Sequence, residues 1–222
     1  MSAHGIEQAI FDVADALLVP VLIAALAALA VTIVEAGRLS TELWRRRGRH
    51  LRALELAGRQ ARDALDRGDA AGAAQALAPV VPSARMSETV AALLEHRDTA
   101  DFDDWSAKVL ADFDYESLRR LERTRILVRF GPALGLMGTL IPLSPGLAAL
   151  ARGDTAKLSQ DLRIAFSITV LGLLIGAIAY AISLVRDRLY SHDLSDLEYL
   201  VTAITPPERA GSGDAAPLEV RR

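Results

Sequence analysis

Three long stretches of the chain are apolar and contain no Asp, Glu, Lys or Arg. They run over 16–34, 130–151 and 164–185, which is 19, 22 and 22 residues. An α-helix rises about 1.5 Å per residue, so about 20 residues cross the roughly 30 Å hydrocarbon core of a bilayer. A buried helix of a soluble protein seldom stays apolar on every face over such a length. The pattern therefore predicts three transmembrane helices, over 16–36, 127–151 and 164–185.

The polar segment between the first two spans has helical periodicity and almost no strand signal. Arg67-Gly68-Asp69 combines a helix stop with a residue that caps a helix N-terminus. Pro79 and Pro82 interrupt the chain again, and either Ser83 or Ser87 can cap the helix that follows. We therefore expect a helical domain over 37–126.

A further helix is predicted to run directly into the second span. The chain lacks Gly and Pro from about Asp103 to Arg129, and Trp105, Val109, Leu110 and Phe113 recur at helical spacing. Gly131 and Pro132 then allow a break or bend.

An apolar stripe follows the third span. Its residues, at 4-3-4-3 spacing, are Tyr190, Leu194, Leu197, Val201 and Ile204. Such a stripe suits a bundle or coiled-coil contact. It either packs on the chain's own cytoplasmic helices or forms a seam between subunits. The Pro- and Gly-rich tail over 205–222 is predicted to be disordered.

Arginine positions predict the orientation in the membrane, because Lys and Arg collect on the cytoplasmic side. The segment before the first span has neither residue, which also argues against a cleaved signal peptide. Arginines follow the first span, precede the second and follow the third. We therefore predict a multi-pass protein of a bacterial or archaeal cytoplasmic membrane. Its parts are an extracytoplasmic N-terminus over 1–15, spans over 16–36, 127–151 and 164–185, a cytoplasmic helical domain over 37–126, an outer loop over 152–163, a cytoplasmic C-terminal helix over 186–204 and a disordered tail over 205–222.

Composition excludes several functional classes. The chain has 222 residues, no cysteine and only four histidines, far apart, so thiolate sites and a histidine zinc centre are not expected. A net charge of −3 gives no basic field for nucleic acid. Phosphate-binding, zinc-protease and serine-hydrolase motifs are absent from the sequence, so we predict neither an enzyme nor a cofactor. The acidic cluster at Asp101–Asp104 is interpreted as a solvated helix N-terminus rather than a metal site.

The polar groups inside the predicted spans are hydroxyls. They belong to Thr32, Thr139, Ser144, Ser167, Thr169, Tyr180 and Ser183. A hydroxyl in a membrane helix usually bonds to its own helix, although it can also line an ion path. If this chain takes part in proton conduction, a partner must supply the titrating carboxylate.

The second predicted span has an unusual density of helix-breaking residues. They are Gly131, Pro132, Gly135, Gly138, Pro142, Pro145 and Gly146. Proline frees carbonyl groups that need other partners, which neighbouring helices usually supply. Close glycines favour tight helix packing. The second span is therefore expected to be an inner helix of an assembly.

Two segments carry a family resemblance. Pro132 to Thr139, with the sequence PALGLMGT, is similar to the second-span pattern of the MotA/TolQ/ExbB proton channel family. The segment Ala165–Leu173, AFSITVLGL, resembles its third-span pattern of ALxxTxxGL type. The three spans and the large cytoplasmic insert resemble the TolQ and ExbB layout. The resemblance implies an all-α, ExbB/TolQ-like membrane fold.

The resemblance also implies partners and a mechanism. Subunits of this kind form a homo-oligomer, a pentamer, around a dimer of a single-span partner whose membrane helix carries an Asp. The complex converts proton-motive force into mechanical work that the partner passes on. Small and hydroxyl residues of spans two and three line the ion path, which implies that role for Thr139, Thr169 and Ser167. Packing at the pore is implied for Pro132, Gly135, Gly138, Pro142 and Gly172.

Two positions depart from the family pattern. Ile164 occupies the place where ExbB-type proteins carry a Glu, and Pro142 stands where Gly is usual. Asp161 and Arg163 lie near Ile164, where they either substitute for the Glu at the outer mouth of the ion path or simply end the helix. Counted from the inner span ends at 1.5 Å per residue, Thr139 lies about 15 Å and Thr169 about 24 Å deep. We therefore expect Thr139 and Thr169 to act at successive points along the ion path rather than to face each other across it, unless the helices are offset.

Two alternatives to an ion-driven transducer remain. One is a membrane scaffold that assembles around a partner without conducting ions. The other is a membrane-anchored adaptor whose working part is the segment over 37–126.

Overall fold

The fold is all-α. A computed structural model describes residues 3–46 and 51–206, and no strand occurs among them. The described residues form six α-helices and one short 3₁₀ helix. These are α1 (Ala3–Arg45), α2 (Leu51–Asp66), α3 (Ala70–Leu77), the 3₁₀ helix Ala78–Val80, α4 (Ala84–His96), α5 (Phe102–Ala151) and α6 (Thr155–Ile204).

The chain divides into two compact units. One, the span unit, comprises residues 1–42 and 118–188, and the other, the helical unit, comprises residues 43–117 and 189–222. Within the described part of the chain, three helices are long and apolar enough to cross a membrane, over Ala9–Trp44, Phe102–Ala151 and Thr155–Ile204. Each contains one of the spans predicted from the charge-free stretches. The chain is therefore an all-α membrane protein with three candidate spans.

One face of α1 is buried within the span unit. Val21, Ala25, Ala28 and Thr32 recur at 4-3-4 spacing and are each at least nine-tenths buried. Val21 and Ala28 pack in a cluster with residues of α5 and α6, among them Ile175. The Thr32 hydroxyl donates to the Ala28 carbonyl of its own helix at 2.7 Å, so burial leaves it satisfied. The opposite face of α1 exposes large apolar side chains, as a bilayer requires.

Of the break or bend that Gly131-Pro132 allows, the break does not occur, because α5 is one continuous helix through both residues. Pro132 lacks the N–H that would bond the Val128 carbonyl one turn earlier. A Cβ placed on Gly176 of α6 would lie 3.4 Å from that carbonyl oxygen and 2.9 Å from the Pro132 ring. The neighbouring helix α6 therefore packs directly against the proline ring and the freed carbonyl.

The connector between the second and third spans is shorter than the predicted loop over 152–163. Helical structure resumes at Thr155, so only Arg152, Gly153 and Asp154 separate α5 from α6. Gly153 has a φ of +78°, which only glycine adopts at little cost. The Asp154 carboxylate accepts a hydrogen bond from the Lys157 backbone N–H at 2.9 Å and caps α6.

The same Arg-Gly-Asp turn separates α2 from α3, where the sequence predicted it. Gly68 has a φ of +77°. The Asp69 carboxylate caps α3 by accepting from the Gly72 N–H at 2.7 Å. Of the two predicted caps for α4, Ser83 is the one used, since its hydroxyl accepts from the Met86 N–H at 3.2 Å.

The helical unit has its own apolar core. Phe113 lies in that core and Trp105 and Leu110 pack against it, in agreement with their helical spacing. The stripe after the third span packs on helices of the same chain: Leu197 and Ile204 are no more than 1% exposed. Leu200, outside the predicted stripe, is buried equally well.

Arginines of the helical unit bind the last part of α6. Arg62 donates to the carbonyls of Thr202 and Ala203, and Arg97 donates to that of Ile204 at 2.7 Å. These carbonyls lie in the last turn of α6, where acceptors lack helical donors and positive charge is favoured. The C-terminus of α6 thus ends on two cationic side chains, of which Arg97 is buried. Most of the tail predicted over 205–222 lies outside the described residues.

Candidate functional site in the helical hairpin

Helices α5 and α6 meet along a glycine seam. A Cβ built on Gly131 would lie 2.7 Å from the Gly172 carbonyl oxygen and 2.8 Å from the Gly176 nitrogen. One built on Gly135 would lie 3.3 Å from the Thr169 Cα. Contacts below 3.0 Å leave no room for a side chain, so the two backbones touch directly.

The seam contains four of the five predicted packing residues: Pro132, Gly135, Gly138 and Gly172. A Cβ on Gly172 would overlap the Gly131 carbonyl and lie 2.8 Å from the Gly135 Cα. One on Gly138 would overlap the Ile168 side chain. Pro142 is buried as well, in the same helix as Gly138.

Sequence reasoning missed one member of the seam, Gly176, and named Gly131 only among the helix-breaking residues of the second span. A signal was available, because Gly131/Gly135 and Gly172/Gly176 are each four residues apart. That spacing places both glycines of a pair on one face of a helix and allows close helix association.

Two of the three predicted path hydroxyls converge on one backbone oxygen of this seam. The Thr169 hydroxyl lies 3.3 Å from the Gly135 carbonyl oxygen on the other helix and 3.1 Å from the Ala165 oxygen of its own. The Thr139 hydroxyl donates to Leu136 O at 2.7 Å and lies 3.5 Å from the same Gly135 oxygen. Both side chains are partly buried.

The depths counted from the inner span ends therefore overstate the separation of the two hydroxyls, in agreement with helices that are offset. Counting assumed that the two spans end at a common level. The glycine contacts instead set the register, and they place Thr169 beside Gly135, one turn from Thr139. Ser167 is not brought to this point, since it is exposed and its hydroxyl donates to Arg163 O at 2.8 Å.

Asp161 lies inside the hairpin near the α5–α6 turn. It belongs to α6, within the segment that the sequence assigned to the outer loop. A Cβ on Gly146 of α5 would lie 3.4 Å from the Asp161 Cβ and 3.7 Å from its Oδ2. That Oδ2 atom is buried and has no hydrogen-bond partner among the described residues. A buried carboxylate oxygen without a donor is costly, which marks the position as unusual.

A charge network lies at the opposite end of the span unit, and sequence analysis did not single it out. The guanidinium of Arg186 on α6 lies 2.5 Å from Glu35 Oε2 on α1 and 3.3 Å from the Thr124 hydroxyl on α5. Its Nε is 3.8 Å from Glu42 Oε2. The Arg186 side chain is only 7% exposed. One residue therefore links all three helices.

A signal for this network exists in the sequence. Glu35 is the charge that ends the first apolar stretch and Arg186 is the charge that ends the third. Opposite charges at the same ends of neighbouring spans are natural partners. Glu35 and Arg186 meet only when α1 and α6 pack together, because 151 residues separate them along the chain.

Among the described residues, no three His, Asp or Glu side chains are grouped closely enough to hold one metal ion. What the hairpin offers instead is two hydroxyls and a carbonyl in an apolar surround. Such groups can pass or orient a proton but carry no charge of their own.

These features define a class: a multi-pass helical membrane protein whose second and third spans form a glycine-packed, hydroxyl-bearing hairpin. Comparison with family models matches residues 83–198, more than half of the chain, to the MotA/TolQ/ExbB proton channel family. The chain belongs to that family. The match extends beyond the motif-level resemblance into α4 and the helical unit. The search of curated proteins found no relative of this chain.

Membership supports a general ion channel or motor role. Proteins of the family are channel or transducer proteins and form oligomeric complexes with partner proteins.

Proposed function

We propose that the chain is a non-enzymatic subunit of a proton channel and motor complex. The complex converts proton-motive force into mechanical work that a single-span partner passes on. The driving force is about 2.3 kcal/mol per charge for each 100 mV of membrane potential, to which any pH gradient adds.

One observation carries the proposal: hydroxyls of two spans approach one carbonyl oxygen in a unit whose apolar stretches contain no ionisable residue. The groups involved are Thr139, Thr169 and the Gly135 carbonyl. A proton that crosses this region needs a titrating group, and a charge at mid-bilayer depth is costly enough that it serves a function where it occurs. The partner's membrane Asp supplies that group.

The site residues then take distinct roles. Thr139 and Thr169 line the path where the partner's carboxylate passes, and Ser167 presents an exposed hydroxyl on α6. Asp161 acts at the outer mouth, where its unpartnered oxygen accepts a proton. Pro132, Gly135, Gly138, Pro142 and Gly172 keep the two helices close enough for the hydroxyls to share one acceptor.

The assembly and its setting follow the family resemblance. We propose a homopentamer around a partner dimer in a bacterial or archaeal cytoplasmic membrane. The N-terminus lies outside, and the helical unit and C-terminus lie in the cytoplasm. The arginines that flank the spans support this orientation.

The proposal is tested by co-expression with a single-span protein that carries a membrane Asp, followed by measurement of complex mass and of proton flux in proteoliposomes. A mass of five copies plus two partners, with flux that stops when the partner's Asp becomes Asn, supports it. A ring that contains the partner but shows no proton flux would favour the scaffold alternative. Binding to a cytoplasmic target that survives deletion of spans two and three would favour the adaptor.

A further inference from the structure

A cavity opens between α5 and α6 at the end of the spans marked by Arg129 and Arg186. Its volume is about 280 Å³, and its lining residues all belong to the span unit. They are Arg125, Val128, Arg129, Tyr180, Ser183, Leu184 and Asp187. At roughly 30 Å³ per water molecule, the space holds about nine waters, which is enough for a phosphate group with its glycerol.

The charge in this cavity is positive on balance. Arg125 lies 3.4 Å from Asp187, and both side chains are about half exposed, so that pair is weak and screened. Arg129, one turn further along α5, has no ion-pair partner among the described residues. Two guanidinium groups thus face one carboxylate, which leaves one positive charge for an anionic ligand.

The other walls are apolar and continue onto an exposed apolar surface. Tyr180 is 59% and Leu184 is 42% exposed, and Phe130, next to Arg129, is 58% exposed. The cavity therefore has a cationic side at the end of the charge-free stretches and an open apolar side along them. Tyrosine with arginine at this level is typical of the interface between hydrocarbon and headgroups.

We propose that this cavity is a binding site for the headgroup of an anionic phospholipid, with its acyl chains lying along the exposed face of Tyr180 and Leu184. The geometry favours a lipid over a soluble anion because the cationic and apolar walls adjoin. Basic pockets between transmembrane helices hold anionic headgroups in the same manner. Arg125 and Arg129 bind the phosphate, and Asp187 weakens binding by holding Arg125.

The test uses the full-length protein, purified in a non-ionic detergent and titrated with dioleoylphosphatidylglycerol while native mass spectrometry counts bound lipid. Arg125→Gln combined with Arg129→Gln is expected to lower affinity about tenfold. The matched control is Arg120→Gln with Arg123→Gln, which removes the same charge from the same helix outside the cavity and is expected to bind normally. The Asp187→Asn variant is expected to bind the lipid more tightly. This change of opposite sign tests the site independently in case the arginine double variant unfolds.

Equal loss of lipid in both double variants would overturn the proposal, because general surface charge would then explain binding. If dioleoylphosphatidylcholine, which carries no net charge, is retained as well as dioleoylphosphatidylglycerol, the proposal is overturned too. If inorganic phosphate displaces the lipid at equal concentration, the site takes a free anion instead. If the cavity variant loses a protein partner while its lipid binding is unchanged, the occupant is a protein and the lipid assignment is wrong.

Discussion

The hydroxyl of Thr169 on α6 lies 3.3 Å from the carbonyl oxygen of Gly135 on α5. This contact crosses the seam between the second and third spans, where a Cβ on Gly135 would lie 3.3 Å from the Thr169 Cα. It exists because neither helix places a side chain between the two backbones. Packing and the proposed ion path therefore depend on the same residues.

Gly172→Ala tests the seam. The added methyl would overlap the Gly131 carbonyl, so the helices must separate. We expect unfolding to become easier by about 1–3 kcal/mol, as for other overpacked sites. The measurement is thermal unfolding of the purified protein in detergent.

Gly37→Ala is the matched control, because a Cβ there meets nothing within 4 Å. Helix propensity favours alanine by roughly 0.5–1 kcal/mol, so stability should hold or rise. Equal destabilisation by both substitutions would show that the seam is not the constraint.

Arg186→Gln tests the network that joins the three spans. The substitution removes the 2.5 Å partner of the mostly buried Glu35 and leaves it only the exposed Arg38, at 3.2 Å. Removing one member of a buried ion pair costs about 3–5 kcal/mol, and Arg186→Leu combined with Glu35→Leu should recover part of that loss. Both the loss and its recovery are measured by unfolding the purified protein in a titration with a denaturing detergent.

The control for this experiment is Arg125→Gln, which removes the exposed pair between Arg125 on α5 and Asp187 on α6. Its expected cost is below about 1 kcal/mol. A cost for Arg186→Gln as small as this would contradict the role assigned to the network.

Asp161→Asn tests the proposed outer mouth of the path. The amide keeps the shape of the side chain but cannot take up and release a proton, so proton flux with the partner should fall strongly. Asp154→Asn removes a charge from the same end of the hairpin but retains a good N-cap, so its flux should stay near wild type. Similar flux in both variants would assign Asp161 a structural role.

The spans were predictable because membrane insertion imposes a simple rule on sequence: no charge over about 20 residues. The caps at Asp69 and Ser83 were predictable for a similar reason, since each satisfies backbone groups next to it in the chain. The positions at which helices end were less predictable. The charges after Asp154 favour a loop, yet α6 begins at Thr155, because polarity marks where a helix leaves the bilayer rather than where it ends. The Arg152-Gly153-Asp154 turn carried the better signal.

Features that join distant segments were not predictable in detail. The level of Thr169 relative to Thr139 depends on which glycines of α5 and α6 meet, and residue counting contains no such information. The pairing of Glu35 with Arg186 depends on how three helices pack together. Both follow from tertiary contacts that a single sequence does not display.

The most direct test of the central claim is the rate of proton uptake by proteoliposomes that contain the chain and its single-span partner, measured for Thr169→Val. Valine keeps the size of the side chain but removes the hydroxyl that reaches Gly135. Thr202→Val is the matched control, because Thr202 lies on the same helix outside the candidate site and its hydroxyl donates to Glu198 O. The account predicts that Thr169→Val abolishes uptake while the mass of the complex is unchanged and Thr202→Val conducts normally. Wild-type uptake by an intact Thr169→Val complex would contradict it.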